Sequence, residues 1–209
     1  MALTRVKPED CVSLTLFERI AAAALPERDR VLASIDRIDV GAGEAVFRQD
    51  DPHPFVYVVR QGLLKFTYLR ADGEEWIKSF VAEGQFFGSL SALVAGRASF
   101  TVTAIEASSL ERLPFFLLED LADRDLAWSR MLRNALIILA ERKERREREF
   151  LTLTAEERYR LLVREQVALL GRIPQKDLAA YLGITPVGLS RIARRVREEQ
   201  ESRAALNPG

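Results

Sequence analysis

The chain has one cysteine, Cys11, and one histidine, His53, in 209 residues. A lone cysteine rules out an internal disulfide, a cysteine-rich zinc site and a cysteine-held iron–sulfur cluster. A lone histidine rules out a two-His or three-His metal centre within one chain. No catalytic residue and no metal ligand is expected. Nowhere do about 18 apolar residues run together, and the opening MALTRVKPEDC lacks the apolar core of a signal peptide. The expectation is a cytoplasmic protein with no membrane partner. Net charge is missing too: 31 Lys and Arg balance 31 Asp and Glu, so the whole chain carries no nucleic-acid signature. With 48% hydrophobic and 30% charged residues, the chain is globular and long enough for one large domain or two modest ones.

The charge is unevenly placed. Residues 172–197 hold six basic side chains against one acid, Asp177, a local net of +5. The same stretch contains QKDLAAYLGITPVGLSRIAR (175–194), whose positions fit a helix-turn-helix. A first helix over 175–182 would bury Leu178 and Leu182, with Ala179 small enough to admit a crossing helix. Gly183 supplies the left-handed turn residue, and Ile184 plugs the space below it. Thr185 caps the second helix and Pro186 opens it. Leu189 and Ile192 give that helix its buried side. Such a unit lays its second helix in the DNA major groove. A basic face without this motif would read as solvated surface.

Ahead of the motif the pattern changes. Short β-runs at 45–48, 55–60, 63–69, 76–81, 100–104 and 109–113 are separated by glycine-rich turns, with Asp72-Gly73 a hairpin signal. They imply a small β-roll or jelly roll. Helices are expected at 14–24 and 27–38 before the strands, and at 115–123 after them. A long helix over about 125–150 follows. Its seam Leu132, Leu136, Leu139, Lys143, Arg146, Phe150 has coiled-coil spacing, which assigns dimerisation to Leu132, Leu136 and Leu139. Thr154-Ala155-Glu156-Glu157 is a capping box that starts a helix ending at Gly171. The fold class expected is α+β: a sensory β-roll domain over 1–124, a dimerisation helix over 125–150 and a helix-turn-helix domain over 151–209.

This order of motifs resembles the Crp/Fnr family of bacterial transcription regulators across almost the whole chain. The glycine series carries the resemblance: Gly43-Glu44, Arg60-Gln61-Gly62, Asp72-Gly73 and Glu83-Gly84-Gln85-Phe86-Phe87-Gly88, followed by the helix-turn-helix. The resemblance implies a cyclic-nucleotide-binding-like β-roll, a homodimer on a two-fold symmetric duplex, RNA polymerase as a further partner, and a signal relayed through the long helix. By the same resemblance the effector pocket would fall on Gly88, Ser89, Leu90, Ser91, Arg97, Ala98 and Ser99, with Lys143 reaching from the long helix.

Departures from the family bear on the ligand. Cyclic-AMP-binding members carry Gly-Glu-Leu with Arg-Ser downstream, whereas here the run is Gly88-Ser89-Leu90-Ser91 and the downstream pair is Ala98-Ser99, with Arg97 one place early. Serine is no substitute for a carboxylate acceptor, so cyclic AMP is not expected and the effector is left unnamed. Haem is not expected either, because His53 lies in the turn Asp51-Pro52-His53-Pro54 and reads as solvated. Nothing basic flanks Cys11 to make it a redox thiol.

The expected DNA contacts are Lys176 on the first helix, the cap Thr185, and on the second helix Pro186, Val187, Gly188, Ser190, Arg191, Arg194 and Arg195. Arg191 falls at the family's base-reading position and suits guanine O6/N7. Pro186 and Val187 replace a polar pair and suit a thymine methyl. Ser190, Thr185, Lys176, Arg194 and Arg195 suit phosphates. The tail EEQESRAALNPG lacks the alternating strands of a wing, so the winged part reads as reduced. The competing classes are a protein-interaction module on the same scaffold and a cupin-like metalloenzyme.

Overall fold

A computed structural model describes residues 3–69, 73 and 75–206. The chain folds as two compact units, Met1–Glu141 and Arg142–Gly209. The first unit opens with β1 (Leu3–Arg5), α1 (Val12–Ala21) and α2 (Arg28–Ser34). Strands β2 (Asp36–Val40), β3 (Ala45–Phe47), β4 (Phe55–Gln61), β5 (Leu63–Leu69), β6 (Glu75–Ala82) and β7 (Phe86–Phe87) follow. After α3 (Leu90–Ala95) come β8 (Thr101–Ala104), β9 (Ser108–Pro114), α4 (Phe115–Arg124) and α5 (Leu126–Thr152). The unit boundary falls inside α5.

The strands form two antiparallel sheets, in the orders β1-β2-β9-β4-β7 and β3-β8-β5-β6. Side-chain alternation along β4 explains how one strand serves two cores. Tyr57 and Val59 point between the sheets, where they join Phe47, Phe66, Phe87, Phe100 and Leu110. Val56 and Val58 point the other way, onto a helical layer with Phe17, Val31, Leu117, Leu121, Trp128 and Met131. The adjacent pair Phe86 and Phe87 divides likewise, one to each core. Trp128 is fully buried, meets Phe17 edge-on at 6.4 Å and donates from Nε1 to the Pro26 carbonyl at 3.1 Å. It anchors the start of α5.

Gly62 shows where backbone dictates sequence. Its φ is +106°, and an added Cβ would lie 2.1 Å from Ser108 Oγ, so only glycine fits between β4 and β5. The hairpin turn expected at Asp72-Gly73 lies mostly outside the described residues, although Leu69 and Glu75 pair across its base.

Three expectations need correction. The helix placed over 27–38 is α2 followed by β2, because Ile38 and Val40 are drawn into the β core while the strand pairs with β9. Strands β1, β2 and β7 were not expected at all; at two to five residues each they are too short to show a period. His53 is not solvated: it is 7% exposed, packed 4.0 Å from Phe47 and stacked on Tyr57 at 5.3 Å. Polar turn composition around it concealed an aromatic slot. Burial lowers its pKa to about 4, with Arg112 adding to the shift and Asp51 opposing it.

Candidate nucleic-acid interface

The second unit is helical throughout its described residues. The end of α5 is followed by α6 (Ala155–Glu165), α7 (Val167–Leu170), α8 (Gln175–Leu182) and α9 (Pro186–Leu206). The capping box forms: Thr154 Oγ1 accepts from the Glu157 amide at 3.2 Å and Glu157 accepts from the Thr154 amide at 2.7 Å. The helix it starts ends at Glu165, with Gln166 as its C-cap, six residues short of Gly171. That glycine has φ −73° and is not a left-handed terminator.

Helices α8 and α9 form the helix-turn-helix at the expected positions. Leu178, Ala179, Leu182 and Leu189 are buried, and Ile192 is half-buried. Val196 and Ile173 complete this core. Gly183 has φ +71°, and an added Cβ would come within 3.3 Å of the Phe150 ring. Thr185 Oγ1 accepts from the Gly188 amide at 3.1 Å, capping α9.

Pro186, Val187, Ser190, Arg191 and Arg194 are exposed, and their spacing puts them on one face of α9. Val187 is 62% exposed. Thr185 and Lys176 are exposed beside them. Arg194 lies 3.7 Å from Glu198, one turn on, with both side chains well exposed. Arg195 is turned elsewhere: it pairs with Glu156, which also holds Arg160, and Arg160 reaches Glu199 at 2.9 Å. That network ties α6 to α9 inside the unit. Helix α9 continues to Leu206 where a wing would begin, and no strand occurs among the described residues of this unit.

Two arginines set the geometry of the turn: Arg158, which reads in sequence as ordinary surface charge, and Arg146, which the heptad spacing puts on the coiled-coil seam. Arg158 on α6 donates to the carbonyls of Phe150 at 3.2 Å, of Leu153, and of Leu182 at 2.8 Å. Arg146 donates to the Tyr181 carbonyl and lies 3.8 Å over the Tyr181 ring. Together they satisfy the last carbonyls of α8, which lack partners within the helix. Burial lowers the Arg158 pKa, and the Arg146 charge lowers it further. Nothing in TAEERYR separates Arg158 from its neighbours, and the seam spacing of Arg146 points to a partner helix rather than to Tyr181.

In the first unit, the residues assigned to an effector are largely occupied by the fold. Ser89 is fully buried and caps α3: its hydroxyl accepts from the Ala92 amide at 3.4 Å and the Ser99 amide at 3.1 Å. Arg97 donates to the Asp50 carbonyl at 2.8 Å, and Ala98 is buried in the β core. Gly88, Leu90 and Ser91 adjoin these residues, with Leu90 exposed. Lys143 belongs to the other unit. Along α5, Met131 and Ala135 are buried and Leu139 packs partly against the same helical core. Leu132 and Leu136 instead line a groove of about 540 Å³ with Ala122, Ser129, Ile137 and Ala140. Cys11 is buried and caps α1; burial raises its thiol pKa to about 11. Among the described residues there is no metal-holding group of three or more His, Cys, Asp or Glu, and no helix long and apolar enough to cross a membrane.

Residues 37–125 match the family described as cyclic nucleotide-binding domain. Over 202 residues the chain is 30% identical to the transcriptional activator protein Anr of Pseudomonas protegens, spanning 90% of this chain and 78% of that one. It is 29% identical over 169 residues to the anr protein of Pseudomonas aeruginosa, covering 75% of this chain and 64% of that protein. A 113-residue stretch, 54% of this chain, is 28% identical to the lysophospholipase NTE1 of Mycosarcoma maydis but spans 6% of it. Among solved structures, FixK2 from Bradyrhizobium japonicum superposes with a TM-score of 0.71 at 23% identity, covering 78% of this chain and 85% of that one. The catabolite activator protein of Thermus thermophilus gives 0.53 at 24% identity, covering 87% of each.

Proposed function

Because the chain belongs to the Crp/Fnr family of transcription regulators, we propose that it works in the cytoplasm as a homodimeric, sequence-specific DNA-binding regulator rather than as an enzyme. The observation that carries this reading is the outward face of α9. Arg191 and Arg194 stand exposed there beside Val187 and Ser190, on a helix capped by Thr185 and packed against α8. Arg191 reads a guanine through O6 and N7, while Lys176, Ser190 and Arg194 hold phosphates. The Arg195–Glu156 pair gives Arg195 a bracing role within the unit instead.

The α5 groove supports the dimer. Leu136 and Ile137 are exposed there, an apolar stripe on a helix whose opposite side is already packed. A second copy covering this stripe sets two α9 helices on a two-fold symmetric duplex, and RNA polymerase is the further partner of such a regulator. Cyclic AMP does not suit the β-roll. Ser89 brings no carboxylate, its hydroxyl is engaged by two backbone amides, and Arg97 is bound to the Asp50 carbonyl. A small-molecule signal read by the β-roll is therefore of another kind.

The test is selection of duplexes from a random pool by the purified chain with no added ligand. A palindromic consensus with steep salt dependence supports the reading. Arg191→Ala should then cost about 1–3 kcal/mol per half-site and relax one base position. A uniform loss across sequences would make Arg191 a phosphate clamp, and no enrichment would count against DNA as partner.

A further inference from the structure

Val187 is a large apolar side chain standing far out of the reading face of α9, at 62% exposure, between Pro186 at the helix start and the polar Ser190, Arg191 and Arg194. It lies one turn before Arg191, on the same side of the helix. The residue that follows Val187 is equally telling. Gly188 sits in helical backbone, where glycine destabilises relative to alanine. Nothing inside the fold demands it: φ is not positive, and an added Cβ would make ordinary contacts, 3.4 Å to Thr185 Oγ1 and 3.7 Å to Ile184. An exposed valine beside a needless helical glycine makes sense if an outside surface comes close to this turn.

We infer that Val187 is a specificity residue that packs on a thymine 5-methyl group, one or two base pairs from the guanine read by Arg191, with Gly188 giving the clearance. The inference rests on the DNA-binding reading above. The spacing follows from geometry. Side chains one helical turn apart stand about 5–6 Å from each other, against a rise of about 3.4 Å per base pair. The partner is set by chemistry: a branched aliphatic group has no hydrogen bond to offer a base edge, and the thymine methyl is the apolar feature of the major groove. The cationic neighbours Arg191 and Arg194 bring it to a phosphate-lined groove rather than to an apolar protein surface.

The experiment uses the full chain and a duplex taken from the selection. Each half-site thymine is replaced in turn by deoxyuridine, which lacks only the methyl group. Wild type should weaken about fourfold at one position per half-site, the worth of one buried methyl, and about 15-fold when both half-sites are changed. Val187→Ala should bind the thymine duplex more weakly and be indifferent to the swap at that position, while still weakening in parallel with wild type as salt is raised. Because Val187 is exposed, this variant tests contact rather than folding. Wild type that tolerates deoxyuridine at every position, or a Val187→Ala protein as sensitive as wild type, overturns the inference and leaves DNA binding standing. A chain that enriches no duplex overturns both, and does so before any base is replaced.

Discussion

Replacing Arg158 by methionine removes the guanidinium while keeping most of the aliphatic stem, and it should loosen the helical unit without touching the β-roll. Three carbonyls lose a charged donor: Phe150 near the end of α5, Leu153 beyond it, and Leu182 at the end of α8. A hydrogen bond to a charged group contributes about 1.5–3 kcal/mol. The Phe150 bond is at the surface, where water replaces it, so the other two set the scale. Water also reaches part of that site once the guanidinium is gone, which brings the expected loss to about 2–4 kcal/mol. For a segment the size of residues 142–209 this is roughly 8–32 °C in midpoint, at about 4–8 °C per kcal/mol.

The positions of the tryptophans make the assay selective. Both of them, Trp76 and Trp128, lie in the first unit, so tryptophan fluorescence follows that unit alone while circular dichroism at 222 nm follows the helices of both, and helical signal lost ahead of the fluorescence transition comes from the second. The variant should lose helical signal early with an unmoved fluorescence transition, and its affinity for the selected duplex should fall with it, because Gly183 and α9 follow directly on Leu182. Arg158→Lys should fall between, since an ammonium lacks the planar fork that spans three carbonyls. Equal shifts in both signals, or a helical midpoint within about 0.5 kcal/mol of wild type, the usual effect of a plain surface substitution, would refute the bracing role.

His53 supplies a pH test. Its folded pKa is near 4 against about 6.5 when unfolded, so between those values the unfolded chain binds the extra proton. Stability from the buried neutral ring is complete above about pH 6.5 and drains away toward pH 4, by about 3 kcal/mol in all. His53→Phe, which suits the slot between Phe47, Phe55 and Tyr57, should flatten that part of the urea-midpoint profile; an unchanged slope would show the ring charging inside the fold. Glu111 is fully buried and accepts from the amides of Val12 and Ser13, at 3.1 and 2.7 Å, and from Arg60. Glu111→Ala leaves those donors stranded and should cost about 3–5 kcal/mol by tryptophan fluorescence, with Glu111→Gln milder; a loss below about 1 kcal/mol would argue against the buried pair. Leu136→Lys should yield a folded monomer by sedimentation that no longer holds the palindromic duplex, and a monomer with undiminished affinity would separate DNA binding from the groove.

What the sequence showed and what it hid divide along one physical line. The helix-turn-helix was legible to the residue because its determinants are local. Gly183 needs its left-handed φ, Thr185 caps the amide three residues on, and Leu178, Leu182 and Leu189 repeat at helical spacing. The longer strands were legible for the same reason, through alternation and the glycines between them. Two features stayed hidden because their partners are distant in the chain, and a third because a turn folds near neighbours over it. Arg158 acquires its role from Leu182, 24 residues away, and Glu111 from Val12 and Ser13, nearly 100 residues away. His53 looked solvated because its own turn is polar, while the rings that enclose it come from β3 and β4. The effector residues make the same point in reverse. A family pattern could place Ser89, but not reveal that its hydroxyl is held by the amides of Ala92 and Ser99. A recognition surface, by contrast, must stay free of intramolecular partners to meet an outside one. Pro186, Val187, Ser190 and Arg191 accordingly stand exposed in the fold, while Arg195, also more than half exposed, lies within reach of Glu156.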